Sequence, residues 1–151
     1  MPNHQDAITA GVAALLDEGE EVLAALVASP RGGSTAAAAG GLAGVIGSQW
    51  AGKNADGAEQ AGLIVQRSCG VVLTNHRLVT LDLSISMMGA VKGVKSVLSA
   101  VPLTEIGSVA HKRVGAAGVL DVRTGGASFK LEAKPGPAKN FADAFEAAAR
   151  R

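Results

Sequence analysis

Aromatic residues make up only 3% of this chain's 151 residues, and there is one tryptophan. Nucleic-acid platforms that stack bases on Phe, Tyr or Trp are therefore not expected. Cysteine is nearly missing as well. Cys69 stands alone, which excludes an internal disulfide and a Cys-rich zinc site and fits a reducing compartment. The three histidines, His4, His76 and His111, show no metal-ligand spacing such as His-x3-His. No Ser/His/Asp or Cys/His arrangement stands out. The start, Met1-Pro2-Asn3-His4-Gln5-Asp6, has no positive charge and no Leu-rich run after it, so it does not read as a secretory signal.

What is abundant is small. Apolar residues are 48% of the chain, mostly Ala, Val and Leu, with 20 glycines. Small side chains bury little area each, so such a core relies on many close contacts. The length suits one domain that folds without a staple. Net charge is +1 but unevenly spread: −5 over residues 1–59, +5 over 60–134 and +1 over 135–151. The basic middle either attracts an anionic partner or balances the acidic start.

Ala7, Ile8, Val12, Leu15 and Leu16 recur at helical spacing, so residues 1–19 are expected to hold an N-terminal helix. Asp17-Glu18 and Glu20-Glu21 read as its solvated end. Glu21 to Ser29 is an apolar run stopped by Pro30, Gly32 and Gly33, and a buried strand is the favoured assignment. Residues 30–62 form a Gly/Ala-rich insertion, helical or loop. Within it Ala36, Gly40, Gly44, Ser48 and Gly52 recur every fourth position. On a helix that ladder makes a smooth ridge for close association of another backbone. Lys53 to Gly57 reads as a polar turn.

Strand character begins at Leu63 and runs to Thr74, with Gly70 as a bulge and Asn75-His76 as a turn. In the next run Arg77, Val79, Leu81 and Leu83 share one face, and Leu78, Thr80 and Asp82 the other. Residues 84–99 suit a short amphipathic helix or a long loop, with Met87, Met88 and Val91 beside Lys92 and Lys95. Val101 to Val114 carries the next strand or strands. Gly125-Gly126 joins two alternating runs as a two-residue hairpin turn. Lys134-Pro135-Gly136-Pro137 breaks the sheet. A final helix over 137–151 places Phe141, Ala142, Phe145, Ala148 and Ala149 on one face.

The stretch Val71-Val72-Leu73-Thr74-Asn75-His76-Arg77-Leu78-Val79 resembles the LTNxRL hairpin of bacterial pleckstrin-homology-like (PH-like) and GRAM-like domains. Val101-Pro102-Leu103-Thr104-Glu105-Ile106-Gly107-Ser108-Val109 is similar to their IPLxxIxSV strand. A hairpin ending in Phe129-Lys130-Leu131 and a terminal amphipathic helix complete the likeness, which covers residues 63–151. The resemblance implies an α+β fold, mainly β: an antiparallel PH-like barrel capped by the C-terminal helix, its first strand drawn from about residues 20–29. It does not imply phosphoinositide recognition. The first-hairpin region, basic in phosphoinositide-binding PH domains, holds only Arg31 and Lys53 here.

The expected function is a non-catalytic, cytoplasmic binding module without cofactor or metal, which recruits a protein partner or self-associates. Association would run through Ala36, Gly40, Gly44, Ser48 and Gly52. The alternative is peripheral binding of anionic membrane lipid through Lys92, Lys95, His111, Lys112 and Arg113, with nucleic acid the least expected partner.

Overall fold

The computed structural model describes residues 4–32 and 52–150. Helix α1 (His4–Val12) runs into a 3-10 turn, and strand β1 (Val22–Pro30) follows. Helix α2 is described over 52–60. Strands β2 (Cys69–Thr74), β3 (Arg77–Ile85), β4 (Val91–Pro102), β5 (Ile106–Val114), β6 (Ala117–Thr124) and β7 (Ser128–Ala133) precede helix α3 (Pro135–Ala149). The strands form one antiparallel sheet in the order β4-β3-β2-β1-β7-β6-β5. The outer strands β4 and β5 do not pair, so the sheet is open where a barrel was expected. Strand β1 holds its two halves together. Residues Val22–Ala28 pair with β2, and only Ser29 and Pro30 pair with β7.

Each face of the central strands is covered by a helix. On one face α3 buries Ala138, Phe141, Ala142 and Phe145 against Ala24, Leu26, Val71, Leu73, Leu120 and Val122. On the other, Ile8 and Val12 of α1 meet Ala25, Val72, Val79, Leu81 and Leu83. Strand β2 lies between the two helices, and all six of its residues are buried. That is why it reads as a continuous apolar run rather than an alternating one. The alternation in β3 is as expected: Leu78 joins the first cluster, and Val79, Leu81 and Leu83 the second.

The small residues let these layers approach. A Cβ on Gly70 would lie 3.0 Å from Leu83 Cδ2 and 3.2 Å from Leu81 Cβ. Gly70 is not the expected bulge. Its register runs unbroken between Val27 and Leu81, and what it supplies is room for the two leucines. Gly118 has the same role under α3, where a Cβ would lie 2.9 Å from Pro135 Cα.

Several local expectations change. Residues 53–57 lie in α2 instead of a turn, because Ala58 is a fully buried core residue that a helix brings to the sheet. Asn54 then caps the end of the β1–β7 pair. Its Nδ2 donates to Arg31 O (3.0 Å) and its Oδ1 accepts from Lys130 N (2.9 Å). Leu63 and Val65 enter the core without being strand, which starts only at Cys69. Helix α3 starts at Pro135, two residues before the expected start. Proline fits a first turn, where its missing N–H has no partner to lose.

Residues 84–99 are neither helix nor long loop. After a turn at 86–90 they enter β4, which is built from a triplet repeat: Val91-Lys92-Gly93, Val94-Lys95-Ser96, Val97-Leu98-Ser99. Val91, Val94 and Val97 face Ile85, Leu83 and Leu81. Gly93, Ser96 and Ser99 face Ser84, Asp82 and Thr80. The middle residue of each triplet, Lys92, Lys95 or Leu98, has no partner on β3 and forms a bulge. A strand with one extra residue per pair of partners has period three, which imitates helical spacing in the sequence.

The acidic run after α1 is solvated at Asp17, Glu18 and Glu21, as expected, but not at Glu20. The Glu20 side chain is wholly covered and forms a two-pronged ion pair with Arg77: Nε donates to Oε2 (2.9 Å) and Nη2 to Oε1 (3.0 Å). The Thr74 hydroxyl donates to Glu20 Oε2 (2.6 Å) and accepts from the N–H groups of His76 and Arg77. Asp17 N–H donates to Glu20 Oε1 (3.0 Å). Asn75 completes the clamp, accepting from Glu21 N (2.9 Å) and donating to Gly19 O (3.0 Å). Gly19 turns the chain there at φ +78°.

The Arg77 guanidinium holds the Glu20 carboxyl down to about 2, against an ordinary 4.5. Since the folded-state value is the depressed one, its stabilisation is complete above about pH 4.5 and fades as pH falls toward 2. That shift is on the order of 3 kcal/mol. Urea unfolding of the native protein should lose that amount across this window. Glu20→Gln should start lower by a similar amount and lose less with acid; equal pH slopes for the two proteins would refute the pairing. Gly70→Ala should lower stability by about 1–3 kcal/mol through overpacking, read as a fall in the thermal midpoint.

Candidate functional site

The residues with candidate binding roles fall on the sheet's periphery, in two places. The first is the tip of the β3–β4 hairpin. Ser86 N–H donates to Ala90 O (2.8 Å), Gly89 N–H to Ser86 O (2.9 Å) and Ala90 N–H to Ser86 Oγ (3.1 Å), so the turn is ordered. Met87 and Met88 crown it at 105% and 93% exposure. Two apolar side chains so fully in water contribute nothing to the fold. Lys92 and Lys95, both exposed, project from the first two bulges beyond the turn. No carboxylate occurs between Asp82 and Glu105. The hairpin therefore presents an apolar tip with a basic flank.

The second place is β5. His111, Lys112 and Arg113 lie there, on the opposite outer strand from Lys92 and Lys95, so the five basic candidates do not form one patch. Lys112 and Arg113 are exposed; Arg113 Nε donates to Gly115 O in the β5–β6 turn (3.2 Å). His111 is half-buried. It lies on the same face of β5 as the core residue Val109, two residues away. Its Nε2 is shielded from solvent and has no hydrogen-bond partner. The shielding concerns Nε2, not His111 as a whole.

Of the ladder, Ala36, Gly40, Gly44 and Ser48 lie outside the described residues. Gly52 is described, and a Cβ there would meet nothing within 4 Å. Among the described residues, then, nothing presses against that position.

A cavity of about 570 Å³ sits where β1 passes to β7, lined by Ser29, Arg31, Ala117, Glu132 and Lys134 among others. Glu132 is buried and accepts from Arg31 Nη1 at 3.3 Å. This is a structural ion pair beside the corner where β1 passes to β7. Cys69 is buried in β2, and burial pushes its thiol pKa up, away from the reactive thiolate. Among the described residues no group of three or more His, Cys, Asp or Glu could hold a metal ion. Among them, too, no helix is long and apolar enough to cross a membrane.

The lysines and methionines of the hairpin stand out in the sequence as candidates, but their places as bulges and tip show only in the register, with the Val-x-small triplet as the sequence signal. Thr74, Asn75 and Arg77, the clamp residues, are marked in the sequence only by their place in the LTNxR stretch.

Because Met87 and Met88 contact so little, Met87→Asp with Met88→Asp should leave the unfolding midpoint unchanged, within about 0.5 kcal/mol. A larger loss by urea titration would make the tip part of the fold rather than a binding element. No protein-family model matches the chain, and no curated protein matches it.

Proposed function

We propose that this chain is a non-catalytic, PH-like binding module that recruits a protein partner or associates with itself. The observation that carries the reading is an architecture with an ordered centre and open margins. Helices brace both faces of the central strands, while the outer strands β4 and β5 have no strand on their outer edges among the described residues and carry exposed basic and apolar groups. The strand sequence β1 to β7 followed by a helix packed on β1, β5 and β6 supports the PH-like part of the reading. The LTNxR hairpin adds to it, since its Thr, Asn and Arg all bind the segment that leads into β1.

A photo-crosslinking side chain at Val97 on β4 or Ala110 on β5, used at native expression levels, should trap one discrete species at one of the two positions. A monomer in sedimentation equilibrium that crosslinks nothing at either position would remove the reading.

One observation favours a second reading, attachment to an anionic membrane surface: the fully exposed Met87-Met88 tip with Lys92 and Lys95 behind it. Burying each methionine in the acyl boundary contributes roughly 1.5–3 kcal/mol. Each lysine near an anionic surface adds about 1 kcal/mol. The sum supports reversible attachment, not permanent anchoring. Co-sedimentation with phosphatidylserine-containing vesicles should exceed that with phosphatidylcholine vesicles and should fall in the Met87→Asp/Met88→Asp variant. Equal pelleting with both vesicle types sinks this second reading.

A further inference from the structure

Resting on the binding-module reading, we propose that the outer edge of β5 captures an extended acidic segment of a partner protein, which adds to the sheet as an eighth strand. The sheet has two outer strands, and they differ in kind. Strand β4 is interrupted by three bulges in nine residues, at Lys92, Lys95 and Leu98. Each bulge breaks the even spacing of N–H and C=O groups that another strand needs, a common protection of natural sheet edges. Strand β5 lacks that protection over most of its length. Past one irregularity at Gly107, the seven residues Ser108 to Val114 pair with β6 without a shift. A regular ladder on one side of a strand implies an equally regular row of donors and acceptors on the other. Among the described residues no strand takes that row.

Bulk does not block it. Gly107, Ser108 and Ala110 are exposed and small. Main-chain bonding supplies affinity to such an edge, and the side chains beside it supply selectivity. Here those side chains are Lys112 and Arg113, with no acid between Glu105 and Asp121. The carboxylates on the neighbouring strands are already engaged, Asp121 with Arg123 at 3.4 Å and Glu132 with Arg31 at 3.3 Å. Neither Lys112 nor Arg113 has an ion-pair partner among the described residues. A second copy of β5 would bring only more positive charge to this edge, whereas an acidic strand complements it.

The test uses the full chain and a fluorescein-labelled octapeptide, Glu-Val-Glu-Thr-Glu-Val-Glu-Thr, with a control carrying Lys for Glu. Fluorescence anisotropy should report binding of the acidic peptide only. Lys112→Glu with Arg113→Glu should weaken it by at least about tenfold, with an unchanged unfolding midpoint showing that the variant folds. The same peptide N-methylated at alternate residues should not bind the native chain, because it cannot complete the ladder. Amide exchange should slow within residues 108–114. Equal affinity in the double variant, binding of the N-methylated peptide, or no added protection in β5 at millimolar peptide overturns the proposal. Protection of those amides in a peptide-free dimer overturns it in favour of a second copy. If the peptide fails while crosslinking at Val97 still traps a partner, the module reading survives and the β5 proposal does not.

Discussion

The Glu20–Arg77 ion pair fixes the geometry from which the rest follows. Arg77 opens β3, and Glu20 stands two residues before β1. Locking them together sets β1 against the β2–β3 hairpin at one end, and Asn75 adds a bond to each side of the same junction. The Nη2 of Arg77 also donates to Leu15 O (3.2 Å), so the guanidinium ties in the chain leaving α1. One side chain therefore coordinates the outer helix, the first strand and the second hairpin. A covered carboxylate is tolerable here because its lone pairs are filled by Arg77, Thr74 and the Asp17 N–H together. If Arg77 were lost, the same carboxylate would become the costliest group in the fold.

With β1 placed, the chain builds two thin cores instead of one thick one. The main cluster gathers under α3 around Phe129, Phe141 and Phe145, which are all three phenylalanines of the chain. The second, under α1, contains no aromatic residue among the described residues. Its closeness comes from subtraction. A Cβ on Gly11 would lie 2.7 Å from Val94 Cγ2, so α1 sits nearly in contact with β4 through its backbone. Dispersion between many small groups takes the place of large buried rings, as the composition requires. The cost is intolerance of added volume, since a layer held by missing side chains has no slack.

The fold was largely readable from sequence where a periodicity was pure. The hairpins at Asn75-His76 and Gly125-Gly126, the face assignment of β3 and the apolar face of α3 through Phe145 follow from period two or from helical spacing, although Ala149, expected on that face, is exposed. Reading failed where two rules overlapped. The triplets of β4 obey a strand rule modified by bulges, and period three is close enough to 3.6 to suggest a helix. Glu20 sits among three other acids, and only its partner's position in space separates it from a solvated end. Ala58 carries too little hydrophobic signal to mark a core position, although Leu63 and Val65 nearby do. For the candidate site, residue types were legible but not grouping. Lys92 and Lys95 sit in triplets whose period resembles a helix, which hides their place in bulges, and their separation from Lys112 and Arg113 depends on strand order.

The contrast between the two sheet edges ties the fold to its use. An open sheet carries two unpaired edges by necessity, and each is a hazard unless protected. In β4 the protection is written into the sequence three times over, and the lysines that interrupt the ladder also keep that edge charged. In β5 the ladder continues, and the charges gather at one end instead of interrupting it. Protecting both edges in the same way would have needed only a second set of bulges. The asymmetry is therefore specific information about β5: a regular edge on a rigid, helix-braced sheet is pre-organised for an incoming strand and loses little freedom when one arrives. The clamp at Glu20 and Arg77 braces the half of the sheet far from β5, and β5 itself is held from one face by Ile106 and Val109, which enter the core under α3.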